Sequence, residues 1–368
     1  MGRHLPMTVT KRGDQFPDLR FGSDQEPGIR RRGTKRFTYV NERTGRQMSA
    51  GADLDRIKRL AVPPAWTDVW IAADPNSHLQ ATGRDARGRK QYRYHDAFVN
   101  DRATNKFTDL VAFAGSLGPL RRRVDRDVRL GDLSHDRVVA TIVRLLDITS
   151  LRIGNDEYER SNGSFGLATL RNKHVHVRGS TIHFEFRGKS AHDFDVSVED
   201  RRLAKIVRSC QDLPGQRLFM YRALDGTVRT VDSSDVNSYL GEHCSPGVTT
   251  KTFRTWNATV RAAEALFIAS QHDDTPSARV LNAAIDQVAD HLGNTRSVCR
   301  GSYVHPAVVE AYLDGTLIRR WQRSVGQRPY RLSVSERKTV RLLKNSNNKR
   351  AVSRSDRRGA RAPRADAA

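Results

Sequence analysis

The chain has 368 residues, which at roughly 100–200 residues per domain predicts two domains. It carries 64 Lys and Arg against 41 Asp and Glu, a formal charge of +23, with 16 basic and 3 acidic residues in 319–368 and 48 against 38 in the remainder. The folded part is therefore basic as well as the C-terminus, which suits a polyanion and nucleic acid first, while three scattered cysteines (Cys210, Cys244, Cys299) exclude a disulfide scaffold or a CxxC zinc site.

Residues 1–35 are rich in Arg, Gly, Pro and Asp without apolar periodicity and are expected to be disordered. They contain no apolar core of a secretory signal. Phe37–Val40 alternates as a strand does, and the sequence DLDRIKRLAV places Leu54, Ile57 and Leu60 at three-residue steps, a short helix stopped by Pro63-Pro64. Val69–Ile71 reads as a strand. A Gly-punctuated basic turn then runs from Ala81 into an alternating strand that ends near His95, so 36–98 is expected to form a small sheet-rich α+β domain.

From about residue 99 the pattern becomes helical. Leu133–Asp147 puts Val138, Val139, Ile142, Leu145 and Leu146 on one face. Its apolar run stays far below the ~18 residues of a membrane span. Alternation in 174–177, 182–186 and 194–198, with tight turns between, predicts three antiparallel strands. Helices are expected over Arg201–Cys210, Ser233–Leu240, Lys251–Ser270, Ser277–Leu292 and Pro306–Leu313, the last with Pro at its first position and Gly315 after its end. The fold class is therefore α+β: a small N-terminal domain, a larger mostly helical domain over 99–318 holding the three-stranded sheet, and a basic tail over 319–368, part of it helical near Ser333–Lys344.

Two motifs mislead. Gly188-Lys189-Ser190 has the ending of a phosphate loop, but His183 stands where that loop needs its first glycine. His174, His176 and His183 have no Cys or carboxylate at ligand spacing; His174 and His176 are read as sharing one face of a strand, in solvent or toward phosphate, and no metal site is expected.

The remaining cations are better placed for chemistry. Arg152 follows the Leu133–Asp147 helix. Arg254 lies near the start of another, with Thr249 and Thr250 as candidate caps, where the positive helix end favours a phosphate. Lys189 sits at a hairpin tip. Gly293 is the expected left-handed cap of the 277–292 helix, and Asn294 follows it. Tyr303 comes nine residues later.

Taken in order, LLDITSLRIGNDEYERSNGSFGLATLRNKHV, FEFRGKSAHDF, TFRTWNATVRAAEAL and HLGNTRSVCRGSYVHPAVVEAYLDG resemble the bacterial, poxvirus-like type IB DNA topoisomerases. PPAWTDVW and HLQATGRDARGRKQYRYH are similar to that family's first domain. The resemblance spans residues 30–318. It implies that Tyr303 attacks a DNA phosphodiester to give a 3′-phosphotyrosyl link, so that the free strand rotates and rejoins without ATP or a required metal. Arg152 and Arg254 would hold the transition-state oxygens, and Lys189 would be the general acid for the leaving 5′ oxygen. Asn294 stands where many relatives carry His, and would act there by hydrogen bonding.

In the first domain the resemblance makes Arg84, Arg87, Arg89 and Lys90 phosphate contacts and directs Gln91, Tyr92 and Tyr94 at the DNA groove. The implied partner is double-stranded DNA, clamped between two domains of a monomer joined near 97–104, in a cytoplasmic, nucleoid-associated setting with no membrane. Two other readings stand beside this one. A site-specific tyrosine recombinase would share the catalytic chemistry but rejoin strands from different duplexes. A non-catalytic basic DNA-binding protein would not need the full set of Tyr, Arg and Lys.

Overall fold

The computed structural model describes residues 19–34, 36–86, 88–99, 107, 109–271, 275–322 and 332–359. The chain divides into two compact units, 1–106 and 107–368.

The first unit is built on an antiparallel five-stranded sheet. Its strands are β1 (Ile29–Arg32), β2 (Thr38–Asn41), β3 (Thr67–Ile71), β4 (Leu79–Arg84) and β5 (Lys90–Tyr94), in spatial order β2-β1-β3-β4-β5. Helix α1 (Ala52–Arg59) buries Ile57 against Ile29, Val69, Ile71 and Ala81. Strand β1 corrects the expectation of disorder over 1–35, of which residues 1–18 and 35 lie outside the described set. An Ile-Arg-Arg-Arg strand is unremarkable only once its partners are known. Arg31 donates to the carbonyls of Val62 and Pro63, at 3.3 and 3.1 Å, and to that of Trp66. Arg30 donates to Glu42 at 2.7 Å. Those acceptors come from chain segments too far away for composition to reveal.

The second unit is mostly helical. Helices α2 (Leu110–Asp127), α3 (His135–Thr149) and α4 (Asp156–Asn162) precede a three-stranded antiparallel sheet of β6 (Val175–Arg178), β7 (Thr181–Arg187) and β8 (Asp193–Glu199). Then follow α5 (Arg201–Gln211), the hairpin β9 (Met220–Arg222) and β10 (Val228–Thr230), and α6 (Ser233–His243). The chain continues through α7 (Thr250–Ser270), α8 (Ala278–Leu292), α9 (Arg296–Ser302), α10 (Pro306–Leu313), α11 (Leu317–Gln322) and α12 (Val334–Gly359). This is the expected α+β class.

Helix α7 organises the unit because it is apolar on two sides. Phe253, Trp256 and Val260 enter one core with α2 and α3. Ala258, Ala262, Ala263 and Leu266 enter the other, with α8 and the Tyr303 region. Small residues on the second face let α8 approach closely.

The basic C-terminal segment is not simply a tail. Helix α12 plants Leu342 in one of these cores and Leu343 in the other, and buries Thr339. The charge count hid this because the apolar pair is flanked by Arg341 and Lys344 in a segment dominated by basic residues. No helix among the described residues is long and apolar enough to cross a membrane.

Leu343 is fully buried, so Leu343→Ala is expected to destabilise the larger unit by roughly 2–5 kcal/mol. Urea unfolding followed by tryptophan fluorescence measures this, and an unchanged midpoint would return the segment to a dispensable tail.

Candidate active site

Arg254 fixes the centre of the site. It lies on α7, only 3% exposed, and donates Nη1 to the Ser150 carbonyl at 2.5 Å and Nη2 to the Leu292 carbonyl at 2.8 Å. Ser150 caps α3 in the left-handed conformation, and Leu292 is the last residue of α8. Two helix C-termini, each with unpaired carbonyls and a partial negative charge, therefore converge on one guanidinium. The expectation that the start of α7 itself would offer Arg254 to a phosphate needs correcting. Both η nitrogens are committed to the protein, and Nε has no hydrogen-bond partner among the described residues.

Arg152 follows α3 by three residues. Its loop is strapped down by bonds from the Leu167 amide to the Arg152 carbonyl, 2.9 Å, and from the Ala168 amide to the Ile153 carbonyl, 2.7 Å. Gly154 has φ +87°, and a Cβ there would lie 2.7 Å from Thr169 Oγ1 and 3.0 Å from the Gly166 backbone. Only glycine permits that approach. Arg152 Nη2 donates to Asn294 Oδ1 at 2.7 Å. Among the described residues, Arg152 Nη1 and Asn294 Nδ2 are buried without a partner.

Asn294 is delivered by the left-handed cap at Gly293, φ +60°. A Cβ on Gly293 would sit 2.4 Å from His192 Cδ2 and 2.7 Å from Phe194 Cζ, so the β7–β8 hairpin packs directly on this turn. Lys189 is exposed on that hairpin's turn. The next two residues, Ser190 and Ala191, hold φ of 63° and 60°, a conformation non-glycine residues adopt at a cost of about 1 kcal/mol or more. Lys189 thus stands on the loop that docks beside Asn294.

Tyr303 ends α9 and is 9% exposed. Thr259 of α7 holds its backbone: Oγ1 lies 3.1 Å from the Tyr303 carbonyl and accepts the His305 amide at 3.1 Å. The Arg254 ζ carbon is 5.2 Å from the ring centroid. Burial by itself would push the phenol's pKa up. The charges of Arg254 and Arg152, with a smaller contribution from that of Lys251, outweigh it, and the phenol is held below its ordinary value. Arg254 is brought down to about 10 by burial and by the like charge of Arg152. Arg152 is also lowered, by burial, with Tyr303 opposing.

Four predicted residues, Arg152, Arg254, Asn294 and Tyr303, therefore meet. Sequence reasoning missed the groups that hold them: Ser150, Thr259 and Asn257, whose Nδ2 donates to the Asp147 carbonyl and to Ser150 Oγ at 2.8 and 2.9 Å. A polar Asn after Trp256 in a half-buried helix was the available signal.

The first unit's candidates divide. Lys90 pairs with Asp24 at 2.6 Å, and Gln91 Nε2 donates to Asp85 at 2.8 Å. Arg84 donates to the Gly88 carbonyl at 3.0 Å, and Arg89 to Asp85 at 2.7 Å. Their expected role as DNA contacts must allow for these internal partners. Arg87 lies outside the described residues. Tyr92 and Tyr94 are 43% and 38% exposed and stack with centroids 6.1 Å apart. Among the histidines, His174 does not share a strand face with His176. It sits in a turn before β6, buried with its ring 4.3 Å from Phe165.

With this geometry in view, known proteins can be compared. The model of the eukaryotic DNA topoisomerase I catalytic core matches residues 95–325, and that of the bacterial DNA topoisomerase IB N-terminal domain matches 36–85. The chain belongs to the type IB DNA topoisomerase family. It is 32% identical over 269 residues to DNA topoisomerase 1B of Acanthamoeba polyphaga mimivirus, covering 71% of this chain and 80% of that one. It is 21% identical over 271 residues to DNA topoisomerase 1B of vaccinia virus (strain Copenhagen), covering 70% and 81%. A solved pre-cleavage complex of the XerH site-specific recombinase with difH substrate covers 54% of this chain at 12% identity and a TM-score of 0.32, too distant to bear on the argument. Membership makes this chain a DNA-processing enzyme, with DNA as its partner.

The lowered phenol is directly measurable. The absorbance difference between wild type and Tyr303→Phe should titrate below the free tyrosine value of about 10, and Arg152→Ala should move that midpoint upward. A midpoint at or above the free value would show that burial outweighs the cations.

Proposed function

We propose that this enzyme relaxes supercoiled duplex DNA by cutting one strand through Tyr303 and resealing it, with neither ATP nor a bound metal. The observation that carries the reading is a set of three buried, unpartnered nitrogens, Arg152 Nη1, Arg254 Nε and Asn294 Nδ2, around a tyrosine whose proton the same two arginines loosen. Buried donors are nearly always satisfied. A group of orphans of one polarity beside a nucleophile suits a dianionic, phosphorane-like transition state.

The chemistry balances without a co-reactant. Tyr303 Oη releases its proton to solvent and attacks phosphorus, the bond to the 5′ oxygen breaks, and Lys189 gives that oxygen a proton that it takes back when the 5′ hydroxyl re-attacks and the phenol is reprotonated. The protein keeps the 3′ phosphate as an ester, and the ester's energy drives the reverse attack once the free strand has turned. Arg254, with its η nitrogens held by carbonyls, contributes Nε–H and fixed charge. Arg152 contributes Nη1. Asn294 orients Arg152 through Oδ1 and donates through Nδ2, a role that needs no charge and so tolerates Asn where relatives carry His. Preorganised charge of this kind commonly lowers a reaction barrier more than any other single effect. One copy of the chain suffices, with the exposed Tyr92–Tyr94 pair adding duplex contacts and the excess positive charge keeping the enzyme on bulk DNA. The recombinase reading gains no support from a specific observation.

Tyr303→Phe should bind duplex as wild type does and lose relaxation of a supercoiled plasmid. Wild-type relaxation should persist in EDTA without nucleotide. Measurable relaxation by the purified variant, or wild-type activity abolished by chelator, would defeat the proposal. Lys189→Ala should slow cleavage about 10²–10⁴-fold at a normal 5′ oxygen and far less at a 5′ sulfur, which leaves without a proton. Equal slowing at both would remove Lys189 from the acid role.

A further inference from the structure

Residues 332–346 lie beyond the stretch matched by the catalytic-core family model, which ends at 325, yet they carry a carboxylate deep in the second unit. Glu336 is 7% exposed. Its Oε1 accepts from Arg121 Nη2 at 2.8 Å and from Trp256 Nε1 at 3.1 Å. Its Oε2 accepts from Arg121 Nη1 at 3.0 Å and from the Ser333 amide at 2.7 Å. Arg121 turns its other edge to Asp147, with Nε to Oδ2 and Nη2 to Oδ1 both 2.8 Å. A planar guanidinium is thus gripped two-pronged on both edges, the geometry that fixes orientation best.

Both ends of this network lead to the active site. Trp256 stands two residues from Arg254 on α7. Asp147 lies in the last turn of α3, and its backbone carbonyl accepts from Asn257, which also bonds Ser150 Oγ. Ser150 supplies the carbonyl that holds Arg254, and Arg152 is two residues further on.

We propose that Glu336 is a positioning residue for strand cleavage, fixing through Arg121–Asp147 and through Trp256 the helix segments that carry Arg152 and Arg254. The inference rests on the reading of Tyr303, Arg152 and Arg254 given above, and Glu336 itself touches no substrate. Whichever way it is turned, a Gln side chain at 336 sets its NH2 against N–H donors and leaves them buried without an acceptor, and a mismatch of that kind is relieved by movement. Displacement of about 1 Å at reacting groups can cost on the order of 10²-fold in rate.

The test uses the full chain in single-turnover formation of the covalent complex, on a duplex with a normal scissile phosphate and on one with a methylphosphonate there. The methyl group replaces a charged non-bridging oxygen, so correctly placed cations matter much less. Glu336→Gln should slow cleavage of the phosphate duplex roughly 10–100-fold, leave duplex affinity unchanged, and lose most of its defect on the methylphosphonate. Equal slowing on both duplexes, or none on the phosphate, overturns the proposal. If Glu336→Gln does not fold, Trp256→Phe, which removes one hydrogen bond to Glu336 and leaves the Arg121 pair, is judged by the same comparison. Failure of the wild type to form any covalent complex on the phosphate duplex would instead sink the underlying assignment of Tyr303.

Discussion

One buried guanidinium holds the catalytic unit's site in register. Arg254 is taken almost wholly out of water, at an effective cost of several kcal/mol for an ion left alone. What offsets that cost is unusual in its source: the ends of two helices far apart in sequence, α3 and α8, whose last carbonyls have no partners of their own. Hydrogen bonds to a charged donor are worth about 1.5–3 kcal/mol each, and the two helix dipoles add to them. The arginine needs the helix ends to remain buried, and the helix ends need the arginine to be satisfied. Each condition enforces the other.

The geometry of the candidate site follows from that mutual need. Arg152 is three residues beyond α3, and Asn294 is two beyond α8, so pinning both helix ends to Arg254 brings these side chains together without any direct bond from either to Arg254. Their own contact, Arg152 Nη2 to Asn294 Oδ1, closes the ring. Tyr303 joins through Thr259, about one and a half turns further along the helix that carries Arg254. The phenol lies in a pocket where burial and positive charge oppose each other, and charge prevails. Under the proposed function, such pinning supplies the preorganised charge that electrostatic stabilisation of a transition state requires.

Some of the cations outside the site are structural. Arg31 caps carbonyls in the first unit, Lys90 neutralises Asp24, Arg121 ties Glu336 to Asp147, and Arg171 and Arg217 both reach the buried Glu159. The gross count of 64 Lys and Arg therefore overstates the number of cations available to a DNA backbone, whereas the net charge of +23 already subtracts the carboxylates they pair with. The exposed, stacked Tyr92 and Tyr94 are the more distinctive feature of the N-terminal surface.

The sequence by itself determined the elements whose signals are local. The Pro306–Leu313 helix, the three antiparallel strands around Lys189, the left-handed cap at Gly293 and the order of Arg152, Lys189, Arg254, Asn294 and Tyr303 can all be read from periodicity, turn chemistry and motif. Tertiary structure decided where charge goes. Neither the strand Ile29–Arg32 nor the burial of the helix from Val334 is legible in composition, because the acceptors of Arg30 and Arg31 and the Arg121 and Trp256 donors to Glu336 lie 12 to 215 residues away. Only the fold could show that Arg254 spends its two η nitrogens on helix ends, since hydrogen-bond partnership is fixed by proximity in space, and spacing along the chain carries no information about it.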